Sequence, residues 1–146
     1  MNVNVMVVDD DAGIRKSIAR FLEGEGCVVT QVSNGREALE ALDTAHYDLV
    51  ISDIVMPEMD GVELLREMRQ RHPTVQTIVM TGFVKQANVL ACMRLGAINC
   101  IFKPLKDLSE LRESVEWAVK HINRWRLKIA YLQSWQPAED EGNPEG

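Results

Sequence analysis

The sequence predicts an α/β fold, a doubly wound parallel sheet with an extended C-terminal helix. Three observations carry this. Short apolar runs alternate five times with segments of helical periodicity. The links between them are short and rich in Gly, Pro, Asn and Asp. Several runs end in a polar or charged residue, which in an open parallel sheet falls at the edge where ligands bind.

Val3 to Val8 reads as a first strand, stopped by Asp9-Asp10-Asp11. Ile14, Ile18, Phe21 and Leu22 follow at helical spacing, and Gly24 and Gly26 close that helix. Cys27 to Val32 is a second strand, and Asn34-Gly35 turns into a helix bearing Ala38, Leu39 and Leu42. Leu49 to Asp53 is a buried third strand, followed by Met56-Pro57 and Asp60-Gly61 as turn signals. Gly61 to Arg71 is helical and ends at His72-Pro73. Gln76 to Met80 is a fourth strand ending at Thr81-Gly82, with a helix expected from Phe83 to Leu95. Ile98 to Phe102 is a fifth strand ending at Lys103-Pro104, and the last helix starts near Asp107.

Composition narrows the function. The 146 residues suit one domain, and 46% apolar with 26% charged residues is ordinary for a globular chain. A net charge of -6 argues against a nucleic-acid surface. No run is long enough to span a membrane, and Met1 to Asn4 lacks the basic start of a signal peptide. Cys27, Cys92 and Cys100 have no metal-ligand spacing and suit reduced thiols in a cytoplasm. His46, His72 and His121 stand apart and read as surface or capping residues.

The strand ends carry the chemistry. They bring Asp9 and Asp10, then Asp53, Thr81 and Lys103, to one edge of the sheet. Helix capping explains one acid of the first triplet and leaves two. Three clustered carboxylates repel unless a cation is present, and few-ligand oxygen sites suit Mg²⁺. A hydroxyl and an ammonium beside that ion make a place for a phosphoryl group, and Asp accepts phosphoryl groups covalently.

Four motifs identify a relative: Val7-Val8-Asp9-Asp10-Asp11, Asp53-Ile54-Val55-Met56-Pro57-Glu58-Met59-Asp60-Gly61, Thr81-Gly82, and Gly96 through Pro104. Together they span about residues 1–120, and the chain resembles the chemotaxis-regulator-like receiver domains of two-component response regulators. The resemblance implies a flavodoxin-like (βα)5 fold with strand order 2-1-3-4-5. It implies Asp53 as phosphoacceptor, supplied by the phosphohistidine of a histidine kinase or histidine phosphotransfer protein. It implies Mg²⁺ held by Asp9, Asp10, Asp53 and the Val55 backbone carbonyl. Thr81 and Lys103 then contact the phosphoryl group, and the Lys103–Pro104 peptide is cis. Such a domain promotes its own phosphorylation and dephosphorylation and is not a stand-alone enzyme. The chain departs from the pattern at Cys100, where relatives place the aromatic ring of their switch. Val55 and Phe83, which flank the approach of water, cannot orient it, so the phosphoryl group is expected to be long-lived.

Two other classes remain open. A haloacid-dehalogenase-like phosphatase places a second acid two residues after its nucleophile, where Val55 stands here. An unphosphorylated interaction module needs none of the site's residues, yet all are present.

Leu108, Leu111, Val115, Ala118, Ile122, Trp125, Ile129 and Leu132 form a heptad seam. Its first half covers the sheet; its second half overruns the globule. A second copy in a parallel pair is the simplest partner, which makes the chain a homodimer, and a helix folded back on its own domain is the other reading. The expected division is a receiver domain 1–121, a helix extension and connector 122–136, and a disordered acidic tail 137–146 beyond Gln136-Pro137.

Overall fold

Alternation along β1 (Asn4–Val8) sorts the core into two layers. Val5 and Val7 face one side of the sheet, and Met6 and Val8 the other. The computed structural model describes residues 1–82 and 85–135. Within them β1 is followed by α1 (Ala12–Gly24), β2 (Val28–Val32), α2 (Gly35–Thr44), β3 (Leu49–Asp53) and α3 (Gly61–Arg71). Then come β4 (Gln76–Thr81), α4 (Gln86–Arg94), β5 (Asn99–Phe102) and α5 (Ser109–Ser134). The strands form one parallel sheet in the order β2-β1-β3-β4-β5, as the resemblance implies.

On one face, Ile18 and Leu22 of α1 and Leu111, Val115 and Ala118 of α5 pack on Val5, Val7, Ile51 and Met80. On the other, Ala38 and Leu42 of α2 and Leu64 and Met68 of α3 pack on Met6, Val8 and Val50. A smaller group joins Leu65 of α3 and Cys92 of α4 to Val79. Burying each such Leu, Ile or Met is worth roughly 1.5–3 kcal/mol. Helices on both faces explain why β3 is buried at every position and reads as a continuous apolar run rather than an alternating one.

Capping residues set where the helices begin. Asp11, Asn34 and Asp60 accept from the backbone N–H groups of Ile14, Glu37 and Glu63, and Asp60 with Glu63 forms a capping box. The capping reading of the Asp triplet is therefore right for Asp11, and Asp9 and Asp10 remain for other work. His72 caps the end of α3 and pairs with Asp43 at 2.8 Å.

Some boundaries differ from the sequence reading. β2 starts at Val28 because Cys27 donates its N–H to Leu22 in the turn. The described part of α4 starts at Gln86, and Phe83 lies outside the described residues. α5 does not fold back. It is one helix of 26 residues, about 39 Å at 1.5 Å per residue. Ile122 is its last buried residue, and Trp125, Ile129 and Leu132 are 59%, 53% and 61% exposed. The tail expected from Pro137 lies outside the described residues.

Candidate functional site

Strand register assembles the site. Val8 pairs with Ser52, so Asp9 stands level with Asp53. Asp53 pairs with Met80, which puts Thr81 one step further along β4. Thr81 pairs with Phe102, so Lys103 follows one step beyond. Residues far apart in sequence thus reach one edge because parallel strands in register end together.

Backbone donors aim the two buried acids. Asp9 Oδ1 accepts from the Asp11 N–H at 2.9 Å, and Asp53 Oδ1 accepts from the Ile54 N–H at 2.8 Å. Their other oxygens both receive the Lys103 ammonium, at 2.8 Å from Asp9 Oδ2 and 3.1 Å from Asp53 Oδ2. Asp10 is exposed beside them, and oxygens of Asp9, Asp10 and Asp53 all lie within 4.8 Å of one another. Thr81 is buried, and its carbonyl accepts from the Lys103 N–H at 2.8 Å. Gly82 lies against the Lys103 stem, where an added Cβ would stand 3.5 Å from Lys103 Cβ. The Lys103–Pro104 peptide is cis.

Gly61 is required by close approach. A Cβ there would lie 2.3 Å from the Asp53 carbonyl oxygen, well inside contact distance. The Gly61 N–H instead donates to Ile54 at 2.7 Å, which seats the start of α3 directly behind the strand end.

The electrostatics are unbalanced. Burial pushes the Asp53 carboxyl above its ordinary range, with the neighbouring Asp9 adding to the rise and Lys103 only partly opposing it. Burial would lower the Lys103 ammonium, but its bonds to Asp9 and Asp53 outweigh that and raise it. One base serves two buried acids, so the site has room for more positive charge.

At the departure from the family pattern, Cys100 packs beside Cys92, Leu95 and Ala97, and Phe102 is exposed. Burial raises the Cys92 thiol to about 11, and all three cysteines are free. Val55 points outward, 52% exposed. Its position has no acid, which leaves the phosphatase reading without its second carboxylate.

The sequence reading missed two groups. Arg15 donates to the Asp9 carbonyl at 2.7 Å and braces the first strand end from α1. At the opposite edge of the sheet, Asp48 is buried and bonded to His46, Arg126 and the Asn4 N–H. A charged residue directly before a buried strand was the signal for Asp48. Nothing local could pair it with a residue as remote as Arg126.

The response regulator receiver domain model matches residues 5–116. The chain is 41% identical over 117 residues to the DNA-binding transcriptional regulator NtrC of Escherichia coli K12, covering 80% of this chain and 25% of that protein. It is 32% identical over 122 residues to the transcriptional regulatory protein ZraR of the same organism, covering 84% and 27%. The chain therefore spans about a quarter of the length of these curated relatives. Among solved structures, a CheY-like receiver domain from Methanospirillum hungatei matches with TM-score 0.80 and 27% identity over 85% of this chain and 98% of that one. The Thermotoga maritima response regulator TrrA, in complex with Mg²⁺-BeF, matches with TM-score 0.72 and 31% identity over 80% and 98%. Fold, strand-end acids and family match agree, and the chain belongs to the response regulator receiver domains of two-component signalling.

Proposed function

We propose that Asp53 accepts a phosphoryl group from the phosphohistidine of a histidine kinase or histidine phosphotransfer protein, and that the modified site then biases a protein-interaction surface. The observation that carries this reading is the unbalanced pair of buried carboxylates on one ammonium at the sheet edge. In the transfer an Asp53 carboxylate oxygen bonds to phosphorus as the bond from phosphorus to the imidazole nitrogen breaks. Lys103, already within hydrogen-bond reach of Asp53, faces the incoming negative charge. The Thr81 hydroxyl is the donor for a phosphoryl oxygen. A groove of about 420 Å³ beside Lys103, with Ile14, Pro104, Leu105 and Leu108 among its apolar lining and Ser17, Lys106 and Asp107 among its polar lining, gives a phosphohistidine partner a mixed landing next to the site.

The donor set fits Mg²⁺, being hard carboxylate oxygen only and close enough to share one ion. Asp9, Asp10 and Asp53, with the Val55 backbone carbonyl, would hold it. When bound, the ion offsets charge on the transferring group. The protein's own part is to fix the carboxylates through the Asp11 and Ile54 N–H groups, so that little reorganisation precedes the transfer.

We divide the chain into a receiver domain over 1–121, a connector helix over 122–136 and a tail over 137–146. The exposure of α5 after Ile122 supports the first boundary and makes the helix the segment for self-association or for joining an output domain. Among the described residues no helix is long and apolar enough to cross a membrane. The free thiols support a cytoplasmic location. The acidic net charge supports a chain that does not itself contact nucleic acid. Phosphorylation and dephosphorylation of its own Asp53 is its only chemistry in this reading, with no separate substrate turned over.

Mass spectrometry after incubation with a small-molecule phosphodonor tests this. One phosphoryl group is expected, on Asp53, only with Mg²⁺ present, and none on Asp53→Asn. Equal labelling of that variant would overturn the assignment.

A further inference from the structure

We propose that the outer face of α5 is a self-complementary stripe on which a second copy of this chain packs with its own α5 antiparallel. This goes beyond the self-association read for the helix above and moves it: the contact lies on the outer face of α5 rather than on the seam beyond Ile122, it is antiparallel rather than parallel, and its paired residues are named. It is independent of the chemistry at Asp53.

The stripe consists of Glu110, Glu113, Trp117, Lys120, Arg124 and Lys128, which follow one another at steps of three or four and so share one face. All are exposed, Trp117 to 54%. The seam buried against the sheet runs through Leu111, Val115, Ala118 and Ile122 on a different face. Charge along the stripe is segregated. Its acids precede Trp117 and its bases follow it, and between Glu116 and Trp135 the helix has no acid at all.

Two further arginines of α5 are already engaged. Arg112 bonds Glu25 at 2.7 Å and lies over the Phe21 ring, and Arg126 bonds Asp48 at 2.9 Å. Among the described residues, no ion pair within the chain engages Glu113, Lys120, Arg124 or Lys128. Glu110 accepts from Asn99 at 3.1 Å through one oxygen, which holds its carboxylate in place on the outer surface.

A parallel second copy would set acid against acid and base against base along this face. It fares no better on the seam beyond Ile122, whose flanking positions carry His121, Arg126 and Lys128. Turned end for end about a two-fold axis level with Ala118 and Val119, the second copy sets Glu110 against Lys128, Glu113 against Arg124, and Trp117 against Lys120. Each pair occurs twice, as an isologous interface demands. The two indole faces meet ammonium groups and lose their exposure to water. The contact runs about 27 Å along each helix. Single exposed ion pairs contribute little, but a network around two covered tryptophans does more than its members alone.

Sedimentation equilibrium of the full chain and three variants decides it. The parent is expected to dimerise. Glu110→Lys with Glu113→Lys, and separately Arg124→Glu with Lys128→Glu, should each weaken the dimer about tenfold or more. All four changes together should restore it to within about threefold of the parent, because the pairs are re-formed with their signs exchanged. Every residue changed is exposed, and far-UV circular dichroism checks that the fold is kept. A monomeric parent, double variants that dimerise as well as the parent, or a fourfold variant that stays monomeric would each overturn the proposal.

Discussion

Each edge of the sheet buries a carboxylate and answers it with a base from the C-terminal part of the chain, yet the two edges are balanced in opposite ways. At the carboxyl edge, Asp9 and Asp53 share Lys103, and the Asp53 carboxyl is pushed up, first by burial and then by Asp9. At the amino edge, Asp48 stands alone against three donors: the Asn4 N–H at 2.9 Å, His46 at 3.0 Å and Arg126 at 2.9 Å. Burial would raise Asp48 as well, but the Asn4, His46 and Arg126 interactions together hold it below its ordinary range. A buried acid with donors to spare is a structural clasp, and here it anchors the overhang of α5. A buried acid short of donors is poised to take a cation or a phosphoryl group.

Replacing the base at each edge breaks this comparison most sharply. Lys103→Met removes the ammonium facing the transferred charge, and the initial rate of phosphoryl labelling is expected to fall about 100-fold. Arg126→Met should leave that rate unchanged. Equal loss in the two variants, measured by mass spectrometry over time, would mean that the edges are not functionally distinct.

Replacing the acids should move stability in opposite directions. Asp48→Ala strands the Asn4 N–H and unfastens Arg126, which is itself half exposed, and is expected to cost about 1–2 kcal/mol in urea unfolding. Asp53→Asn relieves a poorly compensated buried charge and is expected to gain about 1 kcal/mol at neutral pH. The pH dependences follow from the direction of each shift. Asp53 is raised in the native state, so the stability linked to its proton is present below the unfolded carboxylate range and lost as pH rises through the native value. The gain from Asp53→Asn should therefore shrink on acidification. Asp48 is lowered, so its contribution is present above the unfolded value and lost as pH falls through the native one. The cost of Asp48→Ala should shrink on acidification too, though only at lower pH.

The smallest expected effect sharpens the picture of the carboxyl edge itself. The Val55 side chain is exposed and cannot hydrogen-bond a water. Val55→Asn with Phe83→Glu should shorten the lifetime of the phosphorylated form several-fold, followed as the decay of the phosphorylated mass. An unchanged decay would remove water positioning as the reason for a slow loss.

The strand–helix rounds were legible because the central strands, buried on both faces, are apolar along most of their length and the links between elements carry Gly, Pro, Asn or Asp. Asp9, Asp10, Asp53, Thr81 and Lys103 were legible as candidates for a related reason. A polar residue that ends an apolar run adds nothing to apolar packing, and parallel strands put all such residues at one edge. The Asp triplet was ambiguous, since three adjacent acids have the same local pattern whichever of them caps the helix. The structure separates them: Asp11 caps α1, Asp9 turns inward to Lys103, and Asp10 faces solvent.

The order of elements, the residues offered at the strand ends and the periodic seam of the last helix can be read along the chain, because each is a property of neighbouring residues. How charges are shared among those residues is set by the folded arrangement. That Lys103 serves two acids, that Arg126 is spent on Asp48 while Arg124 and Lys128 face outward, and that the seam loses its cover after Ile122 all depend on distances between distant segments. Coulomb and hydrogen-bond energies depend on those separations and on burial, and neither quantity is written in the order of residues.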